Sequence, residues 1–589
     1  MNQRWSLNEL YDSFESKEFQ HDFQQIDALI KQLIDWTGKN LKNTNNAASK
    51  IEEYLKLTDA IAMVIGKLMQ YASLTQSVEA RNEQALMYTE KIRLKYSEMT
   101  QPNVAFEKWI GKIEDLDAVI SSSKALQVFS FYLNEIKEGT KYTLSEAEEV
   151  IISKLKTTGS SAWNDLQNLL SSTLLVDITL NGVQKQLPIT VVRNMAFDGD
   201  QTVRKTAYEA ELRSYKKIEE ASAASLNAIK GEVITLAKMR GYKSPLHMTL
   251  FNSRMDKETL EAMMTAIKES LPKFRQYFKK KAQLLGHENG LPFYDIFAPM
   301  GDAEMTFTYN EAHDFIVTHF SSFSKPLADM ADKAFKNRWI DAEPREGKRG
   351  GAFCSNLYSI KQSRVLSNFN GKLKNVITLA HELGHAYHGE CMFKEPYHNS
   401  HYPMPLAETA SIFCETIVMN AVMKKASAKD MFALLESELA DQGQTVVDIY
   451  GRYLFETELF ERRAESALSV KDLHEMMLNA QKASYGDGLD PEYLHPNMWT
   501  NKPHYYYAER NFYNFPYTFG LLFAKGLYAI YQKRGEKFIA QYDKVLRATG
   551  KNNIADVAKI MDIDVHSVDF WRGSLDLIGG SIDTFISMK

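Results

Sequence analysis

A mainly α-helical fold with small β elements is what this 589-residue chain predicts, on three observations. Apolar residues recur at helical spacing over long proline-free stretches, only two short segments alternate in the manner of strands, and no fixed-period repeat or low-complexity tract breaks the pattern. Hydrophobic residues make up 44% and charged residues 25%, the proportions of a folded globular chain. At this length two or more domains or subdomains are expected.

The N-terminal "MNQRWSLNELYDSFESKEF" is polar and acidic, without the basic and apolar regions of a secretory signal. No run of roughly 18 apolar residues follows, so no membrane span is expected. "IEEYLKLTDAIAMVIGKLMQYASL" from Ile51 reads as a long helix. In "VDITLNGVQKQLPI" the pair Asn181-Gly182 separates two alternating segments, the signal for a hairpin with a type I′ turn. From Val203 a second long helix is expected to run unbroken to Gly241, with Pro245 beyond its end. Lys279, Lys280 and Lys281 form the densest basic patch, and it reads as a solvated helix face. The glycine-punctuated segment from Gly347 to Gly371 reads as the second β island. The hairpin suggests a division into residues 1–185, a helical domain ending in the hairpin, and residues 186–589, the rest of the chain.

A formal net charge of -5 offers no global basic field, so nucleic-acid and membrane-surface binding are not expected. Cys354, Cys391 and Cys414 are the only cysteines. Their odd number does not suit a disulfide framework, which agrees with a reducing, cytoplasmic location.

The chemistry concentrates in "NVITLAHELGHAYHGE", where His381, Glu382 and His385 form H-E-x-x-H on a predicted helix near residues 373–390. Positions i and i+4 share a helix face, so two imidazoles can converge on one ion with a carboxylate beside them to handle a proton. His388 lies on the same face, but its Cα is about 10 Å along the axis from that of His381. With zinc–nitrogen bonds of about 2.0–2.1 Å, three ligands from one straight helix do not close a tetrahedron easily. His388 is therefore expected behind the ligands rather than among them. After the proline-rich "KEPYHNSHYPMP" comes a second apolar helix on which Glu408, Ser411 and Glu415 share a face. Paired against the first helix, it would offer Glu408 as third ligand, with a fourth position open for water. Glu415 would sit deeper and accept an N–H from a ligating histidine. His398 and His401 are the less favoured alternatives.

These motifs resemble the thimet-type oligopeptidases, and within them the oligoendopeptidase F group. The resemblance rests on "HELGHAYH", "ETASIFCE" from Glu408, "WSLNELYDSF", "WIDAEPREGKRGGAF" and "KPHYYYAERNFYNFPYTFG". It implies a helical ellipsoid of two interlocked halves around a deep channel, with one zinc ion per chain on the channel floor. It implies hydrolysis of internal bonds in short unstructured oligopeptides, with His381, His385 and Glu408 as ligands and Glu382 as general base. It also points to His504, Tyr513 and Tyr517 as donors to the developing oxyanion, with Tyr507 as a further substrate contact. Arg510, Asn511 and Pro516 interrupt the tyrosine pattern, so the register of Tyr507 and Tyr517 stays open.

Gly350 and Gly351 permit close backbone approach, so an extended peptide could add to an edge strand there. Gly384, inside the metal helix, costs about 1 kcal/mol relative to alanine, which points to tight packing at that position. Two rival readings remain open: a metallocarboxypeptidase, for which Arg364, Arg452 or Arg510 would hold the substrate carboxylate, and a peptide-binding protein without chemistry. Oligomeric state is not legible.

Overall fold

The computed structural model describes residues 1–301 and 305–588. Helix accounts for 71% of the chain. Among the described residues, strands form one two-stranded and one three-stranded sheet.

Helix α1 (Ala47–Val78) buries Ile51, Tyr54, Leu55, Ile61, Ile65 and Leu68 at helical spacing. It anchors a hydrophobic cluster drawn from the first 133 residues together with Leu357 and Leu366 from far along the chain. The halves interlock through the backbone as well: Ser6 N–H donates to the Arg338 carbonyl at 2.8 Å and Ala342 N–H to the Gln3 carbonyl at 2.7 Å. The fully buried Arg364 guanidinium donates to the Ser6 carbonyl at 2.7 Å and pairs with Glu9 at 3.0 Å.

Strands β1 (Leu175–Leu180) and β2 (Val183–Pro188) pair in register from Leu175↔Pro188 to Leu180↔Val183. Asn181 and Gly182 both have positive φ, 51° and 75°, as a type I′ turn requires. Val176 and Ile178 alternate inward and share a cluster with Ala207, Ala210 and Tyr215 of helix α2 (Gln201–Tyr215). The hairpin thus packs on residues that follow it, and the hydrophobic clusters do not divide at residue 185.

The helix expected to run unbroken from Val203 to Gly241 is two: α2 and α3 (Glu219–Met239). The break lets each half bury a face against different partners. Ile218 still belongs to the hairpin's cluster, whereas Ala223, Leu226 and Ile229 pack with Phe455, Leu459 and Met476. Tertiary packing overrides a helical propensity that nothing local interrupts.

In the larger sheet, β3 (Ile340–Asp341), β4 (Phe353–Leu357) and β5 (Gln362–Leu366) are ordered β3-β5-β4, which leaves β4 at an edge. Helix α4 (Leu373–Met392) follows β5 and packs against α5 (Thr409–Met423). Helices α6 (Ala428–Gly443) and α7 (Phe515–Arg534) complete the surroundings of the site. Met404–Met423 is long and apolar enough to cross a membrane by composition, but 61% of its apolar window is buried. Its apolarity is that of a core helix between α4 and α7.

Candidate metal centre and active site

Helix α4 buries Val376, Leu379, Ala380 and Leu383 on its inner side, which turns His381 and His385 towards α5. Gly384 sets how close the two helices come. A Cβ there would stand 2.6 Å from both the Ala410 carbonyl oxygen and the Ser411 Cα. Those are backbone atoms that cannot rotate away, so packing explains the glycine.

We expect Gly384→Ala to destabilise the protein despite the helix propensity it gains, about 1 kcal/mol. Overpacking a rigid contact costs about 1–3 kcal/mol, and here it also forces the ligand-bearing helices apart. Thermal unfolding and metal titration check this: the melting temperature and the metal affinity should fall together.

Glu408 occupies the break between the short turn Met404–Ala407 and α5. Its Oε2 lies 3.3 Å from His381 Nε2 and 3.5 Å from His385 Nε2. The other nitrogen of His381, Nδ1, is 3.1 Å from Glu415 Oε2. Ser411 Oγ donates to Glu408 Oε2 at 2.8 Å. Partners of this kind fix ring orientation and tautomer in metal sites. One donor atom from each of His381, His385 and Glu408 lies within 4.8 Å of the others. Two imidazoles and a carboxylate are a donor set suited to zinc with one position open, so the residues fit such an ion.

The electrostatics agree. Burial disfavours a charged His381, but Glu408 and Glu415 outweigh it and hold the imidazolium up at about 10. Burial likewise opposes ionisation of Glu408, yet the two histidines pull it down to about 2. His385 is pushed down to about 4, mainly by burial. The cluster is thus built around positive charge. Glu382 is 7% exposed, and burial lifts it to about 7, within the range of a working general base.

A cavity of about 680 Å³ opens beside the cluster, bordered by His381, Glu408, Glu415 and Tyr517 with apolar walls that include Ile377 and Leu521. The tyrosine segment gathers at one side. His504 stacks on Tyr513 with centroids 4.7 Å apart, and the Tyr517 hydroxyl donates to the Tyr513 hydroxyl at 3.1 Å. Tyr507 stands edge-on to both, at 5.9 Å from His504 and 6.2 Å from Tyr513. His504 Nδ1 is buried without a hydrogen-bond partner. Burial pushes this imidazole down to about 4, which keeps it neutral at physiological pH.

His388, Glu415 and the glycine pair lie around the ligand cluster rather than within it. His388 is fully buried, but it stacks on Tyr402 at 4.0 Å and pairs with Thr549 Oγ1 at 2.9 Å rather than with a ligand. It points into the far packing layer because one further turn of helix carries it past the reach of Glu408. Glu415 does not sit deeper than Glu408: its side chain is 37% exposed against 23%, because it lines the open cavity. Gly350 and Gly351 lie outside β4 and do not border that cavity. Their loop is tied instead to α1, through Arg349 N–H to the Ser77 carbonyl at 2.8 Å.

Two residues escape sequence reasoning. Asn356 on the edge strand donates to the His385 carbonyl at 3.3 Å and accepts from Ser363 Oγ at 2.7 Å, locking β4 onto α4. Gly520 is where α7 meets Glu408: a Cβ there would stand 2.8 Å from the Glu408 Cβ. Asn356 carries no local signal. Gly520 is a glycine inside an apolar helix, and that is a readable sign of close approach.

The model described as "Peptidase family M3" matches residues 194–577, and the model described as "Oligopeptidase F" matches residues 112–174. Oligopeptidase PepF of Bacillus subtilis is 24% identical over 575 residues, covering 96% of this chain and 84% of that one. A crystal structure from Chlamydophila abortus superimposes with a TM-score of 0.86 at 22% identity, covering 100% of this chain and 98% of that one. Oligoendopeptidase-F from Enterococcus faecium superimposes with a TM-score of 0.70 at 19% identity, covering 97% and 98%.

Proposed function

Because the chain belongs to peptidase family M3, a family of metallopeptidases, we propose that it is a zinc-dependent endopeptidase that cuts internal bonds of short unstructured oligopeptides. The observation that carries this reading is the convergence of His381 Nε2 and His385 Nε2 on Glu408 Oε2, at 3.3 and 3.5 Å, with Glu382 buried beside them. A zinc ion held there supplies Lewis acidity, lowering the pKa of a water molecule and polarising a carbonyl.

The chain's own residues do the rest. Glu415 and Ser411 hold His381 and Glu408 in place. Glu382 takes a proton from the attacking water and returns it to the departing amine. His504, Tyr513 and Tyr517 supply neutral donors for the negative charge that develops on the carbonyl oxygen. Burial pushes the Tyr517 phenol up, so it keeps its proton at working pH. An extended peptide is the substrate form that reaches a metal at the floor of a cavity.

The carboxypeptidase reading finds no support in the arginines considered for it. Arg364 is taken up by Ser6 and Glu9, Arg452 pairs with Asp448 at 2.5 Å, and neither they nor Arg510 border the metal-side cavity.

The test is an internally quenched peptide of about ten residues, blocked at both ends, a length suited to an extended chain. Cleavage that stops with chelator and returns with zinc is the expected result. Survival of the blocked peptide while a free-ended one is trimmed would transfer the case to a carboxypeptidase, and binding without cleavage of either would leave a receptor.

A further inference from the structure

A second cavity, of about 290 Å³, is bordered by Lys502, just before the tyrosine segment, and the proposed chemistry does not use it. Gln444 borders it while the adjacent Thr445 borders the metal-side cavity, so the two spaces adjoin at the start of the π-helix Gln444–Asp448. Arg193 and Lys502 face this second space.

Their charges are poorly balanced. Among the described residues, Lys502 Nζ makes no ion pair or hydrogen bond. Arg193 reaches a single carboxylate, Glu211, at 3.4 Å. Glu211 already accepts the Tyr215 hydroxyl at 2.7 Å and lies 3.4 Å from His495 Nε2. The neighbouring cations are committed elsewhere, Arg452 to Asp448 and Arg204 to Asp295. His495, 2% exposed, has an Nδ1 without a partner. Burial first, and then Arg452, push Lys502 down to about 8 against the pull of Asp448 and Glu211. Phe197, Phe293 and Phe297 contribute rings to the remaining wall.

We propose that this cavity binds a carboxylate joined to an apolar body, and that its occupant is the C-terminal residue of a peptide being cut at the metal centre. Arginine offers a planar fork and lysine a point charge, a combination suited to one carboxylate. The rings take the terminal side chain. As a statement about peptide substrates it rests on the proposed function, and it adds a preference for a free C-terminus.

Calorimetry of the full-length protein with N-acetylphenylalanine and with N-acetylphenylalanine amide tests the site without any turnover. The acid should bind at least about tenfold more tightly than the amide, as loss of a charge-assisted contact implies. Lys502→Met and Arg193→Gln should each remove that preference, and Lys502→Arg should retain it. In kinetics, a peptide with a free C-terminus should show a KM about tenfold below that of its C-terminal amide, again the size of one charge-assisted contact. Equal binding of acid and amide, or of neither, overturns the site. Binding of the acid with no effect of peptide amidation on KM overturns the peptide as occupant and leaves a site for free small acids. If no peptide is hydrolysed while the acid still binds selectively, the carboxylate site stands and the peptidase reading falls.

Discussion

Glu382→Gln will lower kcat by on the order of 10³-fold while leaving bound metal and KM nearly unchanged, because general base catalysis contributes about 10²–10⁴-fold. The substitution keeps the shape of a side chain that is 7% exposed and removes only its capacity to take a proton. The same residue sets the acid side of the pH profile. Burial lifts its carboxyl to about 7 in the metal-free protein, and a nearby dication favours the ionised form and moves it down again. The carboxylate is the active form, present above its pKa and lost as pH falls through it. The acid limb of kcat/KM should therefore lie below 7 and above the ordinary carboxylate value of about 4.3, and the residual activity of the glutamine variant should lack it. A variant with unchanged kcat would remove Glu382 from the chemistry.

Glu408→Ala should abolish stoichiometric metal binding and, with it, activity. Glu408 Oε2 is the atom on which both imidazoles converge. Without it the donor set drops to two histidines on one helix, and His381 is left paired with Glu415 alone. Glu415→Gln should be milder. An outer partner that orients a ligand is worth roughly 10–100-fold in metal affinity, and an amide keeps a carbonyl that can still accept from His381 Nδ1. Titration against a competing chelator ranks the two: Glu408→Ala must lose more than Glu415→Gln. The reverse order would exchange their roles.

The elements that were legible in the sequence are those whose signal is local. Alternation around Asn181-Gly182 is a two-residue matter and reads directly. The H-E-x-x-H spacing fixes two side chains on one helix face whatever else the chain does. Glu408 required one further inference, that the next apolar helix folds back on the first, and the glycine at 384 was the visible sign that it comes close. Long-range packing left fewer marks. Nothing between Val203 and Gly241 announces the break after Tyr215, which exists because two faces find partners in separate clusters. His388 shares a face with the ligands by spacing, yet Tyr402 and Thr549, which hold it, lie 14 and 161 residues away. The tyrosine segment could be read as a group but not placed, since its gathering depends on how α7 docks against Glu408 at Gly520. The loose charges of Arg193 and Lys502 were invisible for the same reason, being over three hundred residues apart in sequence.

Zinc coordination by His381, His385 and Glu408 is tested by an anomalous difference map from crystals grown with zinc, recorded across the zinc absorption edge. One peak should appear, within about 2.0–2.2 Å of His381 Nε2, His385 Nε2 and a Glu408 oxygen, the distances of zinc to nitrogen and carboxylate ligands. No peak there, or a peak held by His388, His398 or His401, would contradict it.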